Sequence, residues 1–199
     1  LFPYTTLFRS MFERMVEACG KNLTLMLATD YREILQSVNY RHLVYTGPID
    51  EFFDYQFGRL PYRSLRFERE SFSPESLKAR ESVAGKVGFW QPAMQVNYPN
   101  EEAFTRIVEV KHATGQLCAN TTIVREYPKQ FGPGAEPYYP VPTQESAQLY
   151  KQYKSLADGL LNTSFIGRLA TYRYYNMDQV VGMALAEFEK LKNEYVRAL

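Results

Sequence analysis

The stretch FIGRLATYRYYNMDQVV (165–181) gathers residue types that could carry chemistry. A buried strand closing at Gly167 leads through a tyrosine-rich link into a helix beginning near Met177. Free amides and the positive dipole end at that helix start suit a phosphate or an electron-rich ring. Gly167 permits close backbone approach, and Arg168 adds a fixed cation with a planar fork. The plain alternative is a capped helix with tyrosines packed on a sheet. Arg106, in FTRIVEVKH, comes second. On an alternating strand it shares a face with Phe104, Val108 and Val110, and an arginine on an apolar face needs an anionic partner. That partner is either Glu126, in a simple ion pair, or a ligand. PYYPVP (137–142) is third: two tyrosines between prolines form either a binding wall of phenol hydroxyls or a packed loop. His42 and His112 lack metal-ligand spacing, and no Ser–His–acid or Cys–His arrangement is evident. A glycine-rich phosphate loop is also missing. Hydrolytic catalysis has little support.

The elements that would position these residues follow from the pattern. MFERMVEACG (11–20) reads as a helix end stopped by Gly20. LTLMLAT (23–29) and RHLVYTG (41–47) read as strands, and Gly47-Pro48 breaks the chain. IDEFFDYQFG (49–58) gives a short helix. Alternation then predicts an antiparallel meander from 60–68, 89–99, 104–112 and 121–128. The polar segment 68–86 reads as a solvated insertion, and 130–137 as a second loop. Residues 143–160 form an amphipathic helix with Thr143 as N-cap and Leu149, Tyr153, Leu156 and Leu160 inward. NTSFIGR (162–168) is a short buried strand. Residues 177–196 form the final helix, with Val180, Val181, Ala184, Leu185 and Phe188 on its buried face and Asn176 or Asp178 as cap. The order is α/β, then an antiparallel sheet, then α/β again, as when a sheet interrupts a cofactor domain.

Composition narrows the classes. With 199 residues, 45% of them apolar, the chain can form one domain or parts of two. No apolar run approaches the ~18 residues of a membrane span. Basic and acidic residues number 23 and 22, with no basic block, which disfavours nucleic acid and membrane surfaces. Cys19 and Cys118 read as ordinary buried thiols in a reducing compartment. The sixteen tyrosines suit sugars and nucleotides as well as plain cores. LFPYTTLFRS (1–10) reads as an edge strand or, since it back-translates without mismatch to the end of a common sequencing adapter, as a non-native segment to be excluded from fold reasoning. The adapter reading makes the chain a fragment.

Four near-continuous motifs, VYTGPIDEFFDYQFGRLPYRSLRFE, NYP…FTRIVEVKH, EYP…EPYYPVP and FIGRLATYRYYNMDQVVGMAL, resemble prokaryotic UDP-galactopyranose mutase from about Met11 to the end. Only the segment around 68–90 looks longer and more charged than the family pattern. The resemblance implies a partial FAD-binding Rossmann-like domain (11–48 and 143–199) interrupted by an antiparallel β-sheet substrate domain (49–142). It implies a cytoplasmic, homo-oligomeric flavoenzyme that interconverts UDP-galactopyranose and UDP-galactofuranose, with reduced FAD as the nucleophile. By the same resemblance, Arg106 is the diphosphate-binding arginine, Tyr139 and Tyr174 hydrogen-bond that diphosphate, and Asn97 contacts substrate. Arg168 lies beside the flavin, and Asn176, Met177, Asp178 and Gln179 put the final helix start against it. Asn176 stands where some members carry aspartate. Asp30 and Tyr31 would lie near the adenine. The family's dinucleotide fingerprint, and its lid with a uracil-stacking tryptophan and a second arginine, have no counterpart here. Trp90 lies in the wrong segment to replace that tryptophan. The resemblance therefore covers the C-terminal half, a piece expected to be inactive alone. Two other readings remain: another flavoenzyme of the amine-oxidase type, or a non-catalytic sugar-binding sheet module.

Overall fold

The computed structural model describes residues 4–132 and 134–197, with side chains from Ser10 to Tyr195 except at position 133. In chain order the elements are α1 (Tyr4–Cys19), α2 (Tyr31–Leu35), β1 (Leu43–Tyr45), α3 (Ile49–Phe52), β2 (Tyr62–Phe72), α4 (Pro74–Lys78), α5 (Glu81–Ala84), β3 (Gln95–Asn97), β4 (Arg106–Glu109), α6 (Lys111–Thr114), β5 (Thr121–Gln130), β6 (Tyr139–Pro140), α7 (Gln144–Asp158), β7 (Thr163–Phe165), α8 (Gly167–Ala170) and α9 (Met177–Arg197). They divide into two compact units, Leu1–Thr29 with Leu65–Pro128, and Asp30–Ser64 with Lys129–Leu199. Among the described residues no helix is long and apolar enough to cross a membrane.

In the first unit the sheet runs β3-β4-β5-β2. β4 lies antiparallel to both neighbours, with Val96 opposite Ile107 and Val108 opposite Val124. Ile107, Val110, Ile123 and Val124 form its buried apolar set. One carboxylate organises the approach to this sheet. Glu109 is fully buried and accepts from Trp90 N (2.9 Å), Gln91 N (3.0 Å) and Thr121 Oγ1 (2.6 Å). A buried charge held by that many donors is tolerable where a bare one is not. These bonds explain a correction. The strand expected over 89–99 shrinks to Gln95–Asn97, because the amides of Trp90 and Gln91 go to Glu109.

Further expectations shift in this unit. Residues 104–112 do not stay extended: β4 stops at Glu109, Val110 turns helical to open α6, and Gly115 closes that turn. The polar segment 68–86 is mostly exposed, as expected, but it is not irregular. β2 continues to Phe72, Ser73 caps α4, and Leu77 and Ala84 are buried beneath α4 and α5. Residues 23–29 form no strand, and Leu25 and Leu27 are exposed. An apolar run needs a neighbouring strand to complete its hydrogen bonds, and this one has none. The edge strand weighed for residues 1–10 is likewise not what forms, since Tyr4 to Ser10 are helical in α1; Leu1–Pro3 lie outside the described residues. Cys19 and Cys118 are exposed, not buried.

In the second unit β1 and β7 pair in parallel, Leu43 with Thr163 and Tyr45 with Phe165. β7 ends at Phe165, short of the predicted Gly167, because Gly167 already belongs to α8. The core is Ile49, Leu60, Tyr62, Tyr153 and Ala157, flanked by Phe53, Phe131, Leu149, Phe165, Leu169 and Tyr172. α7 starts where predicted: Thr143 and Ser146 exchange side-chain and backbone bonds in a capping box, worth about 1 kcal/mol. Ser146, Tyr153 and Ala157 are buried, Leu149 packs on the core and Leu156 is half-buried, while Leu160 is exposed beyond the helix end. α9 departs from the expected facing at every named position but Val180. Val181, Leu185 and Phe188 are exposed and Val180, Met183 and Glu187 are half-buried.

Tyr153 carries the polar part of this core. Its phenol donates to Gly58 O (2.7 Å) and accepts from Phe57 N (3.0 Å). Asp50, also buried, accepts from Leu60 N through Oδ2 at 2.9 Å. Between them the chain passes through Asp54 and Tyr55, both at positive φ (53° and 56°), a conformation that side chains normally avoid. Tyr153→Phe keeps the ring and removes both bonds, so we expect a loss of about 1–3 kcal/mol in denaturant unfolding. An unchanged midpoint and slope would show that the phenol is not what holds the loop.

Candidate functional site

Nine of the residues singled out in sequence fall in the second unit, on or near β6 and α8 or at the start of α9 and α2. Arg168, on α8, is the hub. Its guanidinium donates to Tyr175 O at 2.8 Å and Tyr138 O at 3.3 Å. The same group lies 5.5 Å from the Tyr139 ring centre and 5.0 Å from that of Tyr174. The two rings stack on each other at 5.9 Å and 30°. The planar fork therefore braces two chain segments and presents two phenols side by side, one of them well exposed.

α9 begins beside this cluster in sequence. Asn176 is its cap, and the Asn176 amide donates to Gln179 Oε1 at 2.8 Å, the reciprocal half of a capping box. Gln179 thus spends its carbonyl oxygen on the cap. The first-turn amides of α9 have no acceptor within the helix, and Met177 is exposed. Asp178 adds an acidic group in that turn. Asp30 caps α2, accepting from Arg32 N at 2.8 Å. Tyr31 stacks on Phe52 at 6.0 Å and leans on Tyr45 at 5.2 Å, and burial pushes its phenol pKa up.

The parallel pair leads into two glycines, of which the sequence reading marks Gly167 for close backbone approach. Gly47 follows β1, and a methyl group there would lie 2.5 Å from the Tyr45 hydroxyl. Gly167 follows β7 with φ +86°. The Tyr45 phenol fills the space beside Gly47, so Gly167 is the more open of the two, at the place where open α/β sheets take ligands. The signal was present as the glycine closing each strand, Thr46-Gly47 and Ile166-Gly167. Sequence reading missed the bonds that hold α9 to β7. Gly167 N donates to Met183 Sδ at 3.1 Å, and Ser164 Oγ bonds Glu187 and lies 2.7 Å from His42 Nε2. This does bring serine, histidine and acid together. The acid contacts the serine and not the imidazole, so it orients no general base.

Asn97 and Arg106 belong to the first unit, where they face each other across β3 and β4. Arg106 also faces Glu126 across β5. Its Nε lies 3.1 Å from Glu126 Oε2, an electrostatic approach, since Nε is buried without a hydrogen-bond partner. Nη1 reaches Gln95 Oε1 at 3.4 Å. The structure thus contains the ion pair that was the simpler of the two sequence readings. Arg106 does not sit on the buried apolar face. Ile107 and Glu109 point to that side, and Arg106 and Val108 share the half-buried one. Burial pushes the Glu126 carboxyl above the usual range, and Arg106 opposes that shift without cancelling it.

The chain is mixed α/β, with paired phenols on an arginine in one unit and a partly buried arginine in the other. Residues 3–174 match the family model described as UDP-galactopyranose mutase. The chain is 33% identical over 183 residues to a probable UDP-galactopyranose mutase of Klebsiella pneumoniae, covering 87% of this chain and 42% of that one. A UDP-galactopyranose mutase of Mycoplasma pneumoniae is 38% identical over 155 residues, covering 75% of this chain and 36% of the other. A dTDP-fucopyranose mutase of Escherichia coli is 29% identical over 186 residues, covering 92% and 45%. The chain belongs to the UDP-galactopyranose mutase family, whose members are isomerases. It spans less than half the length of these curated relatives.

Glu126 gives a pH prediction. Because its folded pKa is raised, the folded state favours the protonated acid, and stability falls as pH rises from 4.5 toward the raised value. Glu126→Gln mimics the protonated form, so its unfolding free energy should lose that decline over the same range. Parallel pH profiles for the two proteins would contradict the assignment.

Proposed function

We propose that the protein carrying this chain interconverts UDP-galactopyranose and UDP-galactofuranose with bound FAD in its reduced form. The observation that carries this reading is the Tyr139–Tyr174 stack braced by Arg168, in a chain of this family. The Gly167 backbone beyond β7 and the first-turn amides of α9, which have no acceptor within the helix, fit a flat, electron-rich cofactor ring. When bound, the reduced flavin supplies the nucleophile for the sugar's anomeric carbon.

The chain's own residues supply binding and electrostatics. Arg106 offsets charge on the departing diphosphate, using a guanidinium partly desolvated beside Glu126. Tyr139 and Tyr174 donate phenol hydrogens to diphosphate oxygens, and Asn97 contacts substrate. Arg168 keeps the phenols in place through Tyr138 O and Tyr175 O, and as a flavin neighbour it acts from a fixed position. Asn176, Met177, Asp178 and Gln179 set the α9 start against the cofactor, and Asp30 and Tyr31 lie toward its adenine end. In this reading residues 11–48 and 143–199 form cofactor-domain pieces interrupted by the sheet of 49–142. The whole enzyme is a cytoplasmic homo-oligomer, and the 199-residue chain by itself has no mutase activity. No step calls on a nucleic acid or a membrane.

Arg106→Ala in the whole enzyme should weaken UDP binding and lower turnover by about two orders of magnitude, the usual cost of one preorganised charge clamp. Calorimetry with UDP and a product assay check both. Near-normal turnover would remove Arg106 from the reaction.

A further inference from the structure

Beyond β4, at the other end from Arg106, the first unit holds a cavity of about 500 Å³ lined by Lys86, Val87, Phe89, Lys111, His112, Gln116, Leu117 and Cys118 among others. Its lining includes no aspartate or glutamate. Lys111 is 92% buried, yet among the described residues no carboxylate pairs with it or with Lys86. Lys111 Nζ makes one hydrogen bond, to Gly88 O at 2.8 Å, and leaves two donors unused. Both ammonium groups gather on one ring: Lys86 Nζ lies 4.4 Å and Lys111 Nζ 4.9 Å from the Phe89 centre. The His112 ring lies 4.3 Å from the same centre. Its Nε2 is committed to Gln91 O at 2.9 Å, with Oε2 of Glu109, a carboxylate already held by Trp90, Gln91 and Thr121, at 3.3 Å.

Two ammonium groups held near one ring, one of them on a buried lysine, are stabilised further by a negative group placed near them. The protein provides no such group on the cavity wall. The rim is apolar instead: Val87 and Leu117 are exposed beside Phe89. We propose that this cavity is a binding site for a phosphate monoester with an aromatic or apolar body. The phosphoryl group sits on Lys86 and Lys111, and the body lies against Phe89, Val87 and Leu117. The site is separate from the proposed diphosphate contact at Arg106 and does not depend on it.

Phenyl phosphate and inorganic phosphate, titrated at low salt into the intact protein with amide NMR, test this. Phenyl phosphate should shift the amide signals of Phe89, Gly115 and Leu117, and should bind more tightly than inorganic phosphate. Lys86 is exposed, so Lys86→Ala leaves the fold intact. It should weaken phenyl phosphate about fivefold, the worth of one exposed charge pair. Lys111→Met should weaken it about tenfold or more, a charged hydrogen bond being lost. Since that buried variant risks misfolding, the Lys86→Ala result decides. Shifts confined to other residues, equal affinity for the two phosphates, or unchanged affinity in Lys86→Ala overturns the proposal. Phenyl phosphate binding that persists in Arg106→Ala separates this site from the substrate site.

Discussion

One buried phenol sets the geometry of the second unit. Tyr153 has its proton on Gly58 O and its lone pair on Phe57 N, so neither backbone group can turn elsewhere without leaving a polar atom unpaired. The loop between Asp54 and Leu60 is thereby held through two left-handed residues, and Leu60 delivers the chain to β2. β2 pairs with β6, which places Tyr139 opposite Arg63. A second phenol repeats the device. Tyr172 donates to Pro61 O at 2.6 Å and accepts from Val141 N at 3.3 Å, tying the tyrosine-rich link to the same edge. The stacked pair on Arg168 is the outer end of a scaffold that starts at Tyr153.

The buried charges show where a ligand can enter and where it cannot. Glu109 is saturated by backbone amides and a hydroxyl, so it is structural and offers nothing to a ligand. Glu126 and Arg106 are different. Their contact lacks a hydrogen bond at Nε, burial still raises the carboxyl, and Arg106 keeps guanidinium donors to spare. An incompletely satisfied arginine can exchange or share its carboxylate with a diphosphate at small cost. A saturated one would have to give up bonds of equal worth.

Local signals were legible in the sequence where they were complete within a few residues. Thr143 announced α7, Gly47-Pro48 announced the break before α3, and Glu126 was one of the two partners weighed for Arg106. The family resemblance, carried by four motifs, agrees with the family match. What failed were readings that depend on a distant partner. LTLMLAT has the composition of a strand but no neighbour to pair with. Trp90 and Gln91 left the ladder for a carboxylate 18 or 19 residues away. His42 and Ser164 meet across 122 positions, a separation at which spacing carries no information.

α9 shows most directly why periodicity can name a face without saying where it points. Val181, Leu185 and Phe188 recur at helical spacing, yet they are exposed. The side turned toward β7 carries Met183, which takes the Gly167 amide, and Glu187, which takes the Ser164 hydroxyl. Polar contacts therefore fix the rotation of the helix against the strand, in opposition to its apolar stripe. Apolar burial is non-directional and would tolerate a slip, whereas two hydrogen bonds four residues apart on one face do not. That fixed rotation determines which way the Asn176–Gln179 cap and the free first-turn amides are aimed. The direction of the proposed cofactor contact thus rests on a thioether and a carboxylate well inside the helix, one to three turns from its start.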